Sequence, residues 1–336
     1  MNDSNGSTVT VPGGAGAEIP VVVHALTRAA MDALLIELRH PEPGGSLPEA
    51  GPGDHIDVRF GGYVRQYSLC SAPKDGSRYL ICVKREQAGR GGSKALHKDL
   101  RVGETVRISR PRSRFPLRGG ARALLLGAGI GVTPLLAMAE ALWSEGRAFE
   151  FWFYAPDRER APLVEYIEAR PFAGRVHTRW SAHGQSARTA LPAELDHPDP
   201  GTDVYVCGPT GFMEHVLGCA RKAGWGEEQL HRERFAPGAE PAAAGDGSAG
   251  FSVLVASSGR AYPVPAGSSI ADVLQSNGVE VELSCEQGIC GTCVVPVLAG
   301  IPDHRDEVLS EAEKSANDQM TICCSRALSA ELTLDL

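Results

Sequence analysis

Short apolar runs separated by glycine and proline fill the first third of the chain. Val21-Val-Val-His-Ala-Leu, Ala33-Leu-Leu-Ile-Glu-Leu, His55-Ile-Asp-Val-Arg-Phe, Arg78-Tyr-Leu-Ile-Cys-Val-Lys and Glu104-Thr-Val-Arg-Ile have the length and composition of strands. Turn-forming Pro43-Gly-Gly and Gly51-Pro-Gly-Asp punctuate them. Strands at this rhythm predict a small antiparallel β-barrel over residues 19–118. The pattern then changes. Ala123-Leu-Leu-Leu-Gly-Ala is apolar throughout and leads through glycines into a helix-like Leu135-Leu-Ala-Met-Ala-Glu-Ala-Leu. Phe149-Glu-Phe-Trp-Phe-Tyr and Asp203-Val-Tyr-Val-Cys207 are further strands, so residues 119–236 read as an α/β unit with a parallel, nucleotide-binding sheet. From Pro237 to Gly250 nothing can form a core, and a flexible tether is expected. Phe251-Ser-Val-Leu-Val-Ala restarts strand structure for a third unit, 251–336. The stretch up to Glu18 reads as a disordered tail, and no internal repeat is present.

Composition fits this division. A chain of 336 residues suggests two or three domains, and 43% apolar with 22% charged residues is ordinary for full globular cores. A net charge of −8 argues against nucleic acid as a partner and leaves no basic run for a membrane surface. No apolar stretch reaches transmembrane length. Met1-Asn-Asp-Ser-Asn-Gly lacks the basic start and apolar core of a signal peptide, so a cytoplasmic location is expected. Nothing demands an oligomer, and a monomer is expected.

The nine cysteines carry the sharpest chemistry. Cys285, Cys290 and Cys293 fall in a C-x4-C-x2-C run, and a further cysteine follows at Cys323, the plant-type spacing of a 2Fe–2S cluster. Zinc sites favour two C-x2-C pairs, and only one occurs here. Gly288 and Gly291 between the ligands let backbone amides approach inorganic sulfide. Met320-Thr-Ile-Cys-Cys-Ser-Arg looks like a strand, whose neighbours face opposite ways, so only one of Cys323 and Cys324 can reach the cluster. Residue pattern alone leaves that choice open. A reducing compartment suits these thiols better than a disulfide scaffold does. Cys82 and Cys219 read as small core residues.

Three further motifs are modest singly. Gly127-Ala-Gly129-Ile130-Gly131-Val-Thr133-Pro134 sits where a strand meets a helix, a ready phosphate site, although its third glycine comes one position early for the usual dinucleotide fingerprint. Cys207-Gly208-Pro209 ends a parallel strand, where such sheets bind ligands, and its small thiol leaves room for a nicotinamide ring. Arg65-Gln66-Tyr67-Ser68 offers a cation, a flat ring and a hydroxyl, the groups a flavin needs. Lys84 and Gly89-Arg-Gly91-Gly92-Ser93 add a cation and a phosphate nest. Each alone also reads as an ordinary strand end or packing turn. Together with a one-electron cluster, they favour a flavin as the two-electron to one-electron converter.

Taken in order, these motifs resemble the phthalate dioxygenase reductase family, which includes vanillate O-demethylase reductases, over essentially everything after residue 18. The resemblance implies an FMN-binding barrel, an NAD-binding α/β domain and a C-terminal plant-type ferredoxin (β-grasp) domain, carrying electrons from NADH to a Rieske-type terminal oxygenase. It assigns Arg65, Tyr67 and Ser68 to the flavin, Gly91, Gly92 and Ser93 to its phosphate, and Gly129 to Pro134 with Cys207 to Pro209 to the nicotinamide nucleotide. Glu233-Arg-Phe235 matches the segment whose aromatic lies against the flavin. The ligands become Cys285, Cys290, Cys293 and Cys323, rather than Cys324. Ser68 and Cys207 are the residues expected at the hydride-transfer site. Tyr154-Ala-Pro-Asp157-Arg158 is one residue shorter than the loop relatives often carry. Asp157 would repel a 2′-phosphate while Arg158 and Arg160 would welcome one; NADH is the expected donor. A haem-thiolate monooxygenase as recipient, or a regulatory iron–sulfur sensor, are the alternatives.

Overall fold

The computed structural model describes residues 18–71, 76–87, 89–235 and 250–336. The expected tail before Glu18, and residues 237–249 of the tether expected at 237–250, lie outside the described residues.

Among the described residues, three layered units follow one another. The first contains β1 (Ile19–Ala30), β2 (Ala33–Arg39), β3 (Asp54–Phe60), β4 (Tyr63–Ser71), β5 (Tyr79–Lys84), helix α1 (Gly92–Asp99), β6 (Thr105–Ile108) and the short β7 (Arg112–Ser113). Pairings run β4-β5-β2-β1-β6-β3, and β3 pairs with β4, so six antiparallel strands close on themselves. Alternation explains the interior: Val21, Val23, Ile36, Leu38, Ile56, Val58, Ile81 and Val83 all point into one buried cluster. The β3–β4 turn is made by Gly61 and Gly62 at φ of 58° and 80°. A two-residue hairpin of this hand needs positive φ at both positions, which glycine adopts without a Cβ clash. That turn sets the register placing His55 opposite Ser68 and Val58 opposite Arg65.

The second unit holds β8 (Arg122–Ala128), α2 (Val132–Ser144), β9 (Ala148–Ala155), α3 (Val164–Glu168), β10 (Val176–Trp180), β11 (Thr202–Cys207), α4 (Thr210–Ala223) and β12 (Leu230–Glu233). Their sheet is parallel in the order β10-β9-β8-β11-β12. The all-apolar β8 is central, and its successive leucines divide between two cores. Leu125 packs with α2 residues on one face, whereas Leu124 and Leu126 pack with α4 residues on the other. The strand order reverses between β8 and β11, where such sheets open a crevice at their carboxyl ends.

The third unit contains β13 (Phe251–Val255), β14 (Arg260–Val264), α5 (Ile270–Ser276), β15 (Val294–Ala299), β16 (Pro302–Asp303), α6 (Glu311–Ala316), β17 (Gln319–Thr321), β18 (Arg326–Ala327) and β19 (Glu331–Leu334). Its mixed sheet, β14-β13-β19-β15-β17, is parallel only at β13–β19 and holds α5 against one face. Ser269 caps α5 by accepting from the Asp272 amide, a reciprocal capping box. The expected three-part fold class is observed. The expected strand through Cys323-Cys324 is not: β17 ends at Thr321, and residues 322–324 form a turn. The Ile322 amide donates to the Cys293 carbonyl and the Ser325 amide to that of Thr321, which curls the chain under the cysteine loop. Among the described residues, no helix is long and apolar enough to cross a membrane.

Candidate functional site

One cleft of about 1350 Å³ lies where the three units meet. Pockets for single small ligands commonly occupy roughly 300–1,000 Å³, so this one has room for two ligands meeting. The barrel lines it with Arg65, Gln66, Tyr67, Ser68, Lys84, Gly92 and Ser93; the parallel sheet with Gly129, Ile130, Thr133, Gly208, Pro209 and Phe235. Cys285, Gln287 and Ile289 from the cysteine loop close it. Residues singled out in the sequence more than 200 positions apart therefore share one wall.

On the barrel side, β4 carries Arg65 and Tyr67 on one face. Arg65 donates through Nη1 to the Val64 carbonyl at 2.6 Å. Helix α1, which the sequence pattern did not reveal, starts directly beside it with no side-chain cap. Uncapped amides at a helix N-terminus attract an anion. A Cβ on Gly92 would stand 2.8 Å from the Arg65 Cγ, and one on Gly91 (φ 99°) would stand 2.6 Å from the Tyr63 hydroxyl. Glycine at both positions lets α1 approach the arginine closely. Gly91 itself does not line the cleft. The residue types and this backbone approach fit a flavin phosphate. Lys84 is ion-paired with Glu86 at 3.0 Å, and Ser93 Oγ accepts from the Glu86 amide.

Deeper in, Ser68 donates to Glu233 Oε2 at 3.2 Å. Burial raises the Glu233 carboxyl to about 8, with the Ser68 hydrogen bond pulling the other way. Cys207 pairs with Glu233 across β11 and β12. Its thiol is fully buried, and burial, then the nearby carboxylate, pushes its pKa well up. Cys207 is thus a compact neutral group behind the cleft wall. Phe235, half-buried against the main core, faces the cleft.

The glycine loop divides its labour. Gly129 stands at φ 54° with open space where a Cβ would be, so its backbone is free to meet a ligand. A Cβ on Gly131 would lie 2.3 Å from the Cys207 carbonyl oxygen; that glycine, like Gly127 and Pro134, packs behind the wall. Asp157 does not line the cleft. It accepts from Arg160, which does, while Arg158 is paired with Glu168 at 2.5 Å.

Cys285, Cys290, Cys293 and Cys323 are all buried. The Cys285 thiol meets that of Cys290, and the Cys323 thiol lies between those of Cys293 and Cys324. Among the described residues, no three His, Cys, Asp or Glu groups converge as one mononuclear ion requires. The Cys290 thiol is drawn below the ordinary thiol range, chiefly by its hydrogen bond with Cys285 and against its burial. The Gln287 amide points at Cys285 Sγ from 3.3 Å. Gly288 and Gly291 take φ of 71° and 67°, and a Cβ on Gly288 would fall 2.5 Å from Cys324 Sγ. Cys324 contacts the Cys323 thiol and also lies 3.2 Å from Thr321 Oγ1.

The loop is held to the barrel by polar contacts that sequence inspection missed. Ser284 Oγ donates to Asp57 at 2.7 Å, and Asp57 in turn pairs with Arg112 at 2.5 Å. Glu286, itself at φ 53°, accepts from Arg90 at 2.5 Å and from Arg65 at 3.3 Å. Arg90 also donates to the Cys285 carbonyl, and Arg234, at the end of the parallel-sheet unit, pairs with Glu307 of the ferredoxin unit. Arg90 lies inside the glycine-rich run and Glu286 inside the cysteine run, yet charge alone gave no sign that they meet.

Comparisons agree with this geometry. Residues 253–328 match a 2Fe–2S iron–sulfur cluster binding domain. A vanillate O-demethylase oxidoreductase of Pseudomonas sp. (strain HR199 / DSM 7063) is 45% identical over 95% of this chain and 100% of its own length. A phenoxybenzoate dioxygenase subunit beta of Ectopseudomonas oleovorans is 40% identical over 95% and 98%. Among solved structures, phthalate dioxygenase reductase superposes at a TM-score of 0.74 with 34% identity, covering 95% of this chain and 98% of that one. An intact type IV self-sufficient cytochrome P450 monooxygenase superposes at 0.76 with 35% identity, covering 95% of this chain but 41% of that one.

Proposed function

Because this chain belongs to the phthalate dioxygenase reductase family, we propose that it draws electrons from NADH through FMN and a 2Fe–2S cluster and delivers them to a Rieske-type oxygenase or demethylase acting on a small aromatic substrate. Its coarser identity is an oxidoreductase, the reductase component of an oxygenase system. Bound FMN supplies the conversion of a hydride into single electrons that the cluster accepts one at a time. The observation that carries the reading is the shared cleft, lined by the barrel, the parallel sheet and the cysteine loop together.

In this reading Arg65 and the start of α1 hold the flavin phosphate. Ser68 presents its hydroxyl at the reacting edge of the ring, with Glu233 fixing its direction. Gly129 and the Gly208-Pro209 turn leave backbone open for the nicotinamide nucleotide, Cys207 keeps the floor small and uncharged, and Phe235 covers the ring. Cys285, Cys290, Cys293 and Cys323 hold the irons. Asp157, and the engagement of Arg158 and Arg160 by carboxylates, support NADH over its phosphorylated analogue. Free thiols at all nine cysteines suit a reducing, cytoplasmic setting.

The test is an anaerobic NADH titration of the purified full chain, with the released flavin identified. Bleaching of both flavin and cluster absorbance is expected; a cluster that stays oxidised would refute the route. A second recipient class, a haem-thiolate monooxygenase, is favoured by the P450 neighbour. Reconstitution with purified Rieske and P450 components separates the two, and faster turnover with P450 would overturn the first choice.

A further inference from the structure

Arg114 sits on the segment leaving the barrel. The chain there is pinned by β7, paired to β3 at Asp54 and His55, and by Phe115, buried against Tyr205. With Phe115 inward, Arg114 faces out and reaches the cysteine loop. A Cβ on Gly291 would lie 2.5 Å from an Arg114 Nη2 and 3.2 Å from its Cζ, so the guanidinium rests on the backbone between Cys290 and Cys293. It makes no hydrogen bond or ion pair with any described residue, in contrast to neighbouring Arg112, which pairs with Asp57. Burial lowers its pKa; Cys290 acts against that shift, Arg112 adds to it, and Cys285 and Asp57 act against it more weakly. A cation with no direct ion pair, held only by the through-space pull of Asp57 and the loop's thiols, thus packs against an iron–sulfur loop belonging to another unit.

We propose that Arg114 is a positioning charge for the cluster: it raises the cluster's reduction potential while the ferredoxin unit is seated on the barrel, and this bias is lost when the unit leaves. The inference rests on the 2Fe–2S reading. In the step concerned, the reduced flavin gives up one electron and the cluster gains one, becoming more negative by one charge; no bond forms or breaks. A nearby cation favours the more negative member of such a couple, and net charge is among the factors that set cluster potentials. Seated, the cluster accepts electrons from the flavin readily. Released, it becomes a stronger reductant, when it must pass the electron to a separate partner. The seat itself is held by the buried Ser284–Asp57 hydrogen bond and by the Glu286–Arg90 ion pair, and salt weakens the ion pair.

The experiment is a potentiometric titration of the full-length holoprotein, following the reduced cluster by electron paramagnetic resonance and the flavin by absorbance. Arg114→Gln is expected to shift the flavin–cluster equilibrium against the cluster by several-fold, up to about tenfold or ~59 mV for a one-electron couple, with iron content and the flavin potential unchanged. Arg114→Lys, which keeps the charge, is expected to stay near the parent. Raising the ionic strength should lower the parent's cluster potential more than that of Arg114→Gln. An unchanged midpoint in Arg114→Gln, or an equal fall in Arg114→Lys, would overturn the proposal. If the glutamine variant loses its cluster, a potential in Arg114→Lys well below the parent decides against it and a parental one for it. Absence of any cluster resonance in the parent would strike the 2Fe–2S reading instead.

Discussion

Glu233 holds its carboxyl against the Ser68 hydroxyl, on the strand beside the one that ends in Cys207. Burial holds its proton up to about pH 8, against an ordinary 4.5. In the unfolded chain the proton is lost near the ordinary value, so the neutral buried form favours the fold fully below that pH. The contribution declines as pH rises toward 8, because only the unfolded state has then released its proton. The residue as a whole is only half-buried, so the effect is discounted to about 1–2 kcal/mol rather than the full shift. Glu233→Gln keeps the shape without the charge. Thermal scans from pH 5.5 to 8 should show the parent falling relative to this variant, and parallel curves would contradict the raised pKa. The family resemblance points to the Glu233-Arg-Phe235 segment for its aromatic ring, not for its carboxylate. A carboxylate in a polar-looking segment gave no hint of burial, because its surroundings come from β4, 165 residues upstream.

At the scale of elements, what was legible followed from periodicity and spacing. Alternating β1 to β6 and the uniformly apolar β8 were readable because each side chain's face is fixed by its position in the strand. The C-x4-C-x2-C run was readable because cluster geometry constrains neighbours in sequence. The Cys323-Cys324 segment misled because its apolar, β-prone residues were read without the tertiary bonds from Cys293 that bend it into a turn. Helix α1 was hidden by the glycines that begin it. Those same glycines, and the ones in the cysteine loop, make the elements fragile. Gly288→Ala would combine a left-handed backbone with a Cβ 2.5 Å from Cys324 Sγ, a strain of about 1–3 kcal/mol. Its iron content per chain should fall well below the parent's while flavin content holds; full iron loading would show that the loop yields without cost. Gly146 is a contrast: it is also left-handed, but no atom lies within 4 Å of its would-be Cβ, and the same substitution there should leave iron unaffected.

For the whole molecule, electron flow depends on a seat that is polar rather than apolar. The ferredoxin unit keeps its own core; it meets the barrel through Ser284–Asp57, Glu286–Arg90 and Glu286–Arg65, and the parallel-sheet unit through Glu307–Arg234. The three ion pairs are partly exposed, contribute about 0–1 kcal/mol each and are screened by salt, unlike the buried Ser284–Asp57 hydrogen bond. Such a seat is weak enough to open, which a carrier serving both an internal donor and an external acceptor requires. Arg65 belongs to both surfaces, since it faces the flavin cleft and touches Glu286. Raising the salt from about 0.05 to about 1 M should therefore slow flavin-to-cluster transfer by a few-fold in single-turnover stopped flow, while hydride transfer into the flavin is affected less. Arg90→Gln should show the slower rate already at low salt, with a flatter salt dependence, because the pair being screened is gone. Cluster reduction that ignores both salt and the Arg90 substitution would mean that the seat is held by something other than these charges. Acceleration of delivery to the oxygenase in the same variant would mark release, rather than arrival, as the step the seat restrains.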